Sequence, residues 1–319
     1  MTRKKRLIIA LGGNAIQQKG EKGTHGESLA NVRDTMKAIA PLTLNNSYEV
    51  IVTHGNGPQV GNMLIQNAAG KSIVPEMPLF LCDAMSQGEI GYWMEQSLGD
   101  FFDAKKSKKH IVTVLSQVVV KKNDPAFKNP SKPVGPFYSK EEAEKIQLET
   151  GFTFKEDAGR GFRRVVASPE PIGFVETDVV RDLIKCGHIV IAGGGGGIPV
   201  VWKGKRLEGI DAVIDKDKTT AVLGDLLNAD LFIILTAVPE VCINFGKPNE
   251  EKIGTMTVKE AKKYVKEGHF AEGSMKPKIE AAIGFLSGET KRKVLITDAD
   301  SLAKALAGKS GTWIVNDKK

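Results

Sequence analysis

Short apolar runs of strand length alternate with amphipathic helical patterns along most of this 319-residue chain. Between the first two runs, for example, Leu29, Val32, Met36 and Ala40 fall on one face of a helix. This alternation is typical of a mostly parallel sheet with helices on both faces. The sequence therefore predicts an α/β fold in which a mostly parallel, open sheet lies between helices. The predicted strands are 7–11, 49–53, 111–114, 188–192, 231–235, 293–297 and 313–315, and the later predicted helices are 79–102, 176–186, 219–227, 258–267, 276–286 and 301–306.

One segment departs from this alternation. From 121 to 171 the chain is rich in Pro, Lys and Gly and shows only short β-like pieces. Because a structureless loop of about 50 residues is rare in a compact chain, we interpret the segment as an inserted subdomain. Standing next to a strand end, it would make a natural lid. The sequence shows no repeat or linker elsewhere, so we expect a single domain over 1–319 with the lid at 121–171 inside it.

Composition limits the classes of partner. The net charge of +7 comes from lysines in scattered pairs with acids between them, and aromatic residues are only 6% of the chain, which argues against a nucleic-acid surface and suits small anions. Apolar runs are too short for a secretory signal or a membrane span. The three cysteines form no C-x-x-C pair and the histidines have no metal-ligand spacing, so we expect reduced thiols, a cytoplasmic location and no protein-bound metal.

Glycine-rich turns follow several predicted strands. They lie at 11–15, 54–58 and 193–199, with a weaker one at 273–275. Glycine lets backbone amides approach an anion closely, and turns at the carboxyl ends of parallel strands gather at one edge of the sheet. These turns together predict an anion site at that edge.

The common nucleotide fingerprints do not fit these turns. A G-x-G-x-x-G motif starting at Gly193 or Gly194 would end on Ile198 or Pro199. The two Gly-Lys-Ser triplets, 70–72 and 308–310, lack the leading glycine of a P-loop and follow helical patterns. What remains is phosphate binding by glycine turns together with lysines from elsewhere in the chain.

Three lysines are the candidates for that role. Lys216 lies between Asp215 and Asp217, directly after an apolar pair, Lys278 opens a predicted helix, and Lys132 lies between prolines in the lid. An ammonium near a cradle of backbone amides neutralises the charge of a transferred phosphoryl group. A single lysine is more often a solvated surface residue, but the surrounding Gly and Pro favour an anion site.

The sequence closely resembles carbamate kinases, which are members of the amino acid kinase fold group, from residue 7 to about 315. The resemblance implies an eight-stranded, mostly parallel sheet, a protruding subdomain, a homodimer, and nucleotide and acceptor sites at the sheet's C-terminal edge. The matching motifs are A-L-G-G-N-A at 10–15, H-G-N-G-P-Q-V-G at 54–61, A-M-S-Q-G at 84–88, I-G-Y at 90–92, and the segments 132–138, 159–166, 194–200, 212–217 and 273–282.

The resemblance also implies an activity: reversible phosphoryl exchange between ATP and carbamate, giving ADP and carbamoyl phosphate, with Mg²⁺ carried by the nucleotide. Lys132, Lys216 and Lys278 would grip the phosphoryl group, Asp217 would orient the lysines, and Lys216, Asp217 and Lys278 would also contact the nucleotide. The remaining expected site residues are Gly12, Gly13, Asn14, Gly55, Asn56, Gly194 and Gly195 around the acceptor and phosphates, and Ala237, Val238, Val241 and Met275 around the adenine.

One position departs from the wider fold group. Many relatives resembling acetylglutamate kinase carry a lysine where this chain has Ala10, so Lys132 is the expected source of the missing charge.

A carbamate oxygen is already anionic, which explains why the sequence shows no convincing general base. Carbamoyl phosphate is a mixed anhydride, so ATP formation in arginine and carbamoyl phosphate catabolism is the expected direction. The alternatives are another acyl-phosphate-forming kinase of this fold, a non-catalytic nucleotide sensor and, from pI alone, an RNA-binding protein.

Overall fold

The apolar runs of the sequence form the strands of one central sheet in this computed structural model, which describes residues 3–157, 159–287 and 291–317. The strands are β1 (Lys5–Leu11), β2 (Tyr48–His54), β3 (Ile111–Thr113), β4 (Gln117–Val120), β5 (Lys132–Tyr138), β6 (Thr153–Glu156), β7 (Phe162–Val166), β8 (Pro171–Phe174), β9 (Ile189–Ile191), β10 (Ile198–Lys203), β11 (Arg206–Gly209), β12 (Leu231–Leu235), β13 (Val241–Ile243), β14 (Glu251–Ile253), β15 (Thr255–Thr257), β16 (Lys293–Thr297) and β17 (Thr312–Val315). The helices are α1 (His25–Leu44), α2 (Gly57–Gly70), α3 (Leu79–Ala104), α4 (Lys140–Thr150), α5 (Thr177–Lys185), α6 (Lys216–Leu226), α7 (Val258–Lys266), α8 (Met275–Leu286) and α9 (Leu302–Leu306).

The central sheet confirms the predicted fold class. Its eight strands in the described chain run in the order β15, β17, β16, β12, β1, β2, β9, β3. Every neighbouring pair is parallel except β16 and β17, which are antiparallel. The seven predicted strands all lie in this sheet. The edge strand β15 was not predicted, because its sequence Thr-Met-Thr contains a single buried apolar side chain, Met256, and no apolar run.

Helices cover both faces of the sheet. Along β1, Ile8 and Ala10 pack into one core cluster together with residues of α5, α6, α7 and α8. The alternate residues Leu7 and Ile9 pack into a second cluster with α1, α3 and α9. Since side chains of a strand point alternately to the two faces, a strand buried on both faces must be apolar throughout. Each fully buried aliphatic side chain contributes about 1.5–3 kcal/mol of transfer free energy, so these two layers supply most of the folding drive.

The segment predicted as a lid has its own regular structure. Strands β4 and β8 are antiparallel neighbours in a four-stranded sheet with β10 and β11, and between them β5, β7 and β6 form a separate three-stranded antiparallel sheet that carries α4. Val134 and Val166 pack against Leu79 and Cys82, so this small sheet lies on the start of α3.

Two helices, α2 and α4, were missed by the sequence prediction. The description of 121–171 as short β-like pieces is therefore wrong for α4. This helix buries only Ala143 and so has no apolar stripe, although Ser139 and Glu142 form a capping box at its start and Gly151 ends it at φ 73°. Among the described helices, none is both long enough and apolar enough to cross a membrane.

Candidate active site

The first two glycine turns meet at the carboxyl ends of β1 and β2. The Gly12 amide donates to the Leu235 carbonyl at 3.0 Å, and the Gly55 amide donates to the Leu11 carbonyl at 3.2 Å, so both turns are fixed to the sheet. A Cβ added at Gly55 would lie 3.4 Å from Cδ of Lys216 and 3.9 Å from the backbone nitrogen of Gly13. The structure therefore brings Gly13, Gly55 and the first residue of α6 together.

The glycine run after β9 closes onto the second turn. A Cβ at Gly194 would lie 2.4 Å from Nε2 of His54, and one at Gly195 would lie 2.2 Å from Nδ2 of Asn56. Gly195 also has φ +68°, a conformation that other residues rarely adopt. Only glycine allows this approach, which explains the composition of the run. The hydroxyl of Thr219 on α6 donates to the Gly196 carbonyl at 2.7 Å and holds the run against the helix.

The three predicted lysines meet at the N-terminus of α6. Lys216 is ion-paired with Asp217, and Nζ of Lys278 lies 3.3 Å from Oδ2 of Asp217. Lys132 extends from β5 and its Nζ lies 3.6 Å from Oδ2 of Asp215, which also caps α6 by accepting from the Asp217 amide at 3.0 Å. With three ammonium groups and two carboxylates, this lysine cluster has a formal charge of +1, and the helix N-terminus adds positive potential.

Asp217 is the buried centre of the lysine cluster, with 3% exposure. Burial alone would raise the pKa of its carboxyl, but the ammonium groups of Lys216 and Lys278 hold that pKa below its ordinary value. The carboxylate is therefore charged and committed to two cations. It can orient lysines, as the resemblance implies, and it cannot readily accept a proton.

His54 is a structural member of the second turn. Burial lowers the pKa of its imidazole to about 4, the bond to the Gly55 carbonyl acts against that shift, and the charge of Lys216 adds to it. Nδ1 lies 2.9 Å from that carbonyl oxygen. Since a carbonyl only accepts hydrogen bonds, Nδ1 carries the proton, and Nε2 is left as a buried acceptor without a partner in the described structure. The imidazole is neutral and inaccessible, which excludes it as a base for a substrate.

Asn56, predicted to line the acceptor pocket, is held by α3. Its Nδ2 donates to Oδ1 of Asp83 at 3.0 Å and to Oγ of Ser86 at 2.8 Å. Neither Asp83 nor Ser86 was predicted as a site residue, although Ser86 belongs to the matching motif at 84–88. The signal was present, because both polar residues lie on the face of α3 that also carries the buried Ile90.

An apolar cavity of about 290 Å³ lies beside the lysine cluster. Three of the residues that the resemblance places around an adenine, Ala237, Val238 and Met275, line it together with Phe245. Met275 begins the helix α8 that also carries Lys278, so the cavity and the lysine cluster share an element. The side chain of Val241 is the exception: it is fully buried in the core and does not line the cavity.

A second cavity, of about 630 Å³, continues from the first. Thr236 and Ala237 belong to the walls of both. Gly12 and Asn14 line the second cavity, so the structure places these predicted phosphate-side residues next to the apolar cavity. Lys19, Asp34, Asp298 and Asp300 also line the second cavity, so its walls carry more negative than positive formal charge, and the positive charge for an anionic ligand comes from the lysine cluster.

Comparisons with known proteins identify the family. Residues 5–298 match the amino acid kinase family. The carbamate kinase of Thermococcus kodakarensis is 50% identical over 315 residues, which is 98% of this chain and 100% of that protein. The chain belongs to the carbamate kinase family. Its resemblance to carbamate kinases is thereby confirmed, and it is a phosphotransferase.

Other carbamate kinases are also similar to this chain over nearly its whole length. Carbamate kinase 2 of Staphylococcus aureus strain RF122 is 48% identical over 98% of this chain and 99% of its own length. A solved carbamate kinase from Giardia lamblia bound to AMP-PNP matches with a TM-score of 0.95 and 43% identity, covering 99% of this chain and 100% of that one. Another Giardia lamblia structure, of carbamate kinase thiocarbamoylated by disulfiram on a cysteine, matches with a TM-score of 0.92 and 42% identity, covering 99% of this chain and 100% of that one.

Proposed function

We propose that this chain catalyses reversible phosphoryl transfer between ATP and carbamate, giving ADP and carbamoyl phosphate. The observation that carries the proposal is the lysine cluster. It combines ammonium groups from β5, α6 and α8 at a helix N-terminus, beside glycine turns on one side and an apolar cavity on the other. Phosphoryl transfer needs this combination of charge neutralisation and placement.

The proposed division of roles follows the positions of the side chains. The adenine lies in the cavity lined by Ala237, Val238 and Met275, and the phosphates run past Gly12 towards the lysine cluster. That the Giardia relative binds AMP-PNP supports a nucleotide here. The acceptor takes the other side, which Gly13, Gly55, Asn56, Gly194 and Gly195 would form, whereas Asn14 lies with Gly12 on the wall of the second cavity.

In this arrangement the lysines act on the transferred phosphoryl group. Lys216 and Lys278 neutralise its non-bridging oxygens, Asp217 holds both ammonium groups in place, and Lys132 supplies the third charge from the predicted lid. The carbamate oxygen attacks as an anion, so no group has to remove a proton. The neutral, buried His54 and the paired Asp217 agree with a mechanism without a general base.

The metal would arrive with the nucleotide. No group of three His, Cys, Asp or Glu side chains able to hold a metal ion occurs in the described parts of the chain. The two carboxylates of the lysine cluster, Asp215 and Asp217, are paired with lysines. Mg²⁺ on the phosphates would supply charge neutralisation there, with most of its ligands coming from phosphate oxygens and water.

We also propose a homodimer that uses the exposed face of α3. Leu81, Met85 and Tyr92 lie on one side of this helix and are exposed. An exposed apolar helix face of this kind marks an interface, and a second copy of the same chain is the usual partner.

The direction and setting are proposed from chemistry. Carbamoyl phosphate is a mixed anhydride, so transfer to ADP is favourable and the enzyme would form ATP in arginine and carbamoyl phosphate catabolism. The cysteines Cys82, Cys186 and Cys242 are all free, which supports a reducing, cytoplasmic setting.

The decisive experiment is ATP formation from ADP and carbamoyl phosphate by the purified protein, with and without Mg²⁺. Carbamate, aspartate and acetylglutamate should be compared as acceptors of phosphate from ATP. We expect turnover with carbamate alone and none without Mg²⁺. Turnover with an amino acid carboxylate instead would identify another kinase of this fold, and nucleotide binding without turnover on any acceptor would identify a nucleotide sensor.

A further inference from the structure

The helix α3 begins with polar side chains on its buried face, next to the proposed acceptor turn. Asp83 is 2% exposed and Ser86 is fully buried. Burying a carboxyl group is costly unless the group is neutral or well hydrogen-bonded. The phosphoryl-transfer chemistry described above makes no use of Asp83, so its burial calls for another explanation.

The contacts of Asp83 determine how Asn56 is oriented. The Nδ2 group of Asn56 gives one hydrogen to Oδ1 of Asp83 and the other to Oγ of Ser86, at 3.0 and 2.8 Å. The Ser86 hydroxyl donates to the backbone carbonyl of Asp83 at 2.7 Å, which leaves its oxygen to accept from Asn56. Gly195 packs against the same amide. Both donor hydrogens of Asn56 are therefore used, and the side chain has only its carbonyl oxygen to offer a ligand.

The charge state of Asp83 suits an anion site. Burial raises the pKa of its carboxyl to about 8, the hydrogen bond from Asn56 acts in the opposite direction, and the charge of Asp211 raises the pKa further. The group is thus mainly protonated at pH 7 and adds little negative charge beside the acceptor turn. Asp211 itself receives a hydrogen bond from Nη2 of Arg164 on β7 at 2.7 Å.

We propose that Asp83 is a positioning residue for the acceptor: it fixes the Asn56 amide so that the Asn56 carbonyl oxygen accepts a hydrogen bond from the amino group of carbamate. The inference rests on the proposed function and extends it to substrate choice. A fixed acceptor distinguishes an amino group, which can donate, from the methyl group of acetate, which cannot. Asp83 would in this way contribute to the preference for carbamoyl phosphate over acetyl phosphate.

The test compares Asp83→Leu with Ser97→Ala in the ATP-forming direction. Ser97 is a matched control, because it is a fully buried residue of α3 whose hydroxyl bonds to the Trp93 carbonyl, away from Asn56. We expect Asp83→Leu to raise KM for carbamoyl phosphate about tenfold or more and to leave KM for ADP within about twofold. The ratio of kcat/KM for carbamoyl phosphate to kcat/KM for acetyl phosphate should fall. The control should change none of these. An equal rise in both KM values would assign Asp83 a purely structural role and overturn the proposal.

A second variant keeps the proposal testable if Asp83→Leu does not fold. Asp83→Asn retains an oxygen that can accept from Asn56 and cannot ionise. Above pH 8 the wild-type KM for carbamoyl phosphate should rise as Asp83 ionises beside Asp211 and repels the anionic substrate, whereas the variant should stay flat. Identical pH profiles would contradict the proposal. A wild-type protein without any turnover would overturn the proposed function itself. An active wild-type enzyme whose Asp83 variants have an unchanged KM for carbamoyl phosphate would overturn only the positioning role.

Discussion

At the scale of single residues, the site is an arrangement of charges around one buried carboxylate. Asp217 binds two ammonium groups, and its neighbour Asp215 binds a third. Because removing Lys216 or Lys278 leaves the buried carboxylate of Asp217 with less compensation, each of these two lysines has two proposed effects. It would act on the phosphoryl group directly, and it helps to hold Asp217 and, through it, the other lysine.

We expect Lys216→Ala to lower kcat by about 100-fold or more, comparable to losing one donor of an oxyanion hole, while the protein still folds. Lys218→Ala is the control, since Lys218 lies on the same helix turn but pairs with Glu170 outside the lysine cluster. Steady-state kinetics and circular dichroism of both purified variants check the prediction. Near-normal turnover of folded Lys216→Ala would remove this residue from the mechanism.

Lys132 should behave differently, because it comes from the predicted lid. We expect Lys132→Gln to lower turnover more strongly than it weakens ATP binding, since its charge acts on the group in transfer. Lys128→Gln, in the same segment and exposed, should affect neither quantity. Measuring the affinity for ATP alongside kcat provides the comparison. Equal losses of ATP affinity and kcat in Lys132→Gln would argue against a role of Lys132 on the transferred group.

The residue scale also shows what the sequence could and could not reveal. Lys132, Lys216 and Lys278 were found because glycine and proline surround them. Asp83 and Asp215 were missed as site residues, since their importance lies in which distant side chain they contact. A carboxylate that pairs with a lysine more than 80 positions away has no local pattern.

At the scale of elements, the alternation of strands and helices was predictable because burial on both faces dictates apolar strands. Helix α2 begins with a Gly-Pro pair after Asn56 and has few buried residues, so its pattern was weak. Of the four residues expected around the adenine, Val241 is the one that does not line the apolar cavity, since side chains of a strand alternate between two faces and the sequence did not specify which face Val241 takes. Contacts between turns, such as that of Gly195 with Asn56, depend on the assembled sheet.

Gly195→Ala tests this contact between turns. A methyl group there would meet the Asn56 amide at 2.2 Å in a left-handed backbone, so we expect a loss of about 2 kcal/mol or more in the free energy of unfolding and weaker carbamoyl phosphate binding. Gly204→Ala is the matched control: its φ is +61° and the space around it is open, so only the backbone cost of about 1 kcal/mol applies. Urea unfolding and KM for carbamoyl phosphate, measured for both variants, test the prediction. Equal losses of unfolding free energy in the two variants would show that the contact between Gly195 and Asn56 makes no contribution of its own.

At the scale of the whole molecule, the buried groups His54 and Asp83 contribute to the pH dependence of stability in opposite directions. The pKa of His54 is about 4 in the folded protein against an ordinary 6.5, so the unfolded state binds the extra proton in that window and stability is lost as pH falls through it. The pKa of Asp83 is about 8 against 3.8, so the folded state binds the extra proton and stability is lost as pH rises. The two slopes, each about 1.4 kcal/mol per pH unit, oppose one another below pH 6.5.

Above pH 6.5 only the Asp83 slope remains, so we expect the free energy of unfolding to fall by roughly 2 kcal/mol between pH 6.5 and 8. Asp83→Asn should flatten this part of the curve, because the amide does not titrate. Asp182→Asn, an exposed surface change, should leave the slope intact. Urea unfolding at half-unit pH intervals gives the curve, and a slope that survives in Asp83→Asn would assign it to another group.

The proposed homodimer is also a property of the whole molecule. Met85→Glu places a charge in the exposed apolar face of α3, so we expect it to shift the protein from dimer to monomer with little change in unfolding at high denaturant. Lys37→Glu, on the exposed side of α1, is the control. Sedimentation of the three proteins reports their masses. A monomeric wild-type protein would contradict the homodimer. A Met85→Glu variant that stays dimeric would place the interface away from this face of α3.

The pairing of β4 with β8 has a consequence for how such a chain can diversify. Val120 and Pro171 are partners in that pair, so the polypeptide leaves the body and returns to it at adjacent points. The stretch between them is in effect a cassette, because the body requires only that its two ends be joined, and a short hairpin would suffice for that. The cassette also carries Lys132. Exchanging one contiguous stretch of gene could therefore remove or replace one charge of the lysine cluster while the sequence of the central sheet and the other two lysines stay unchanged.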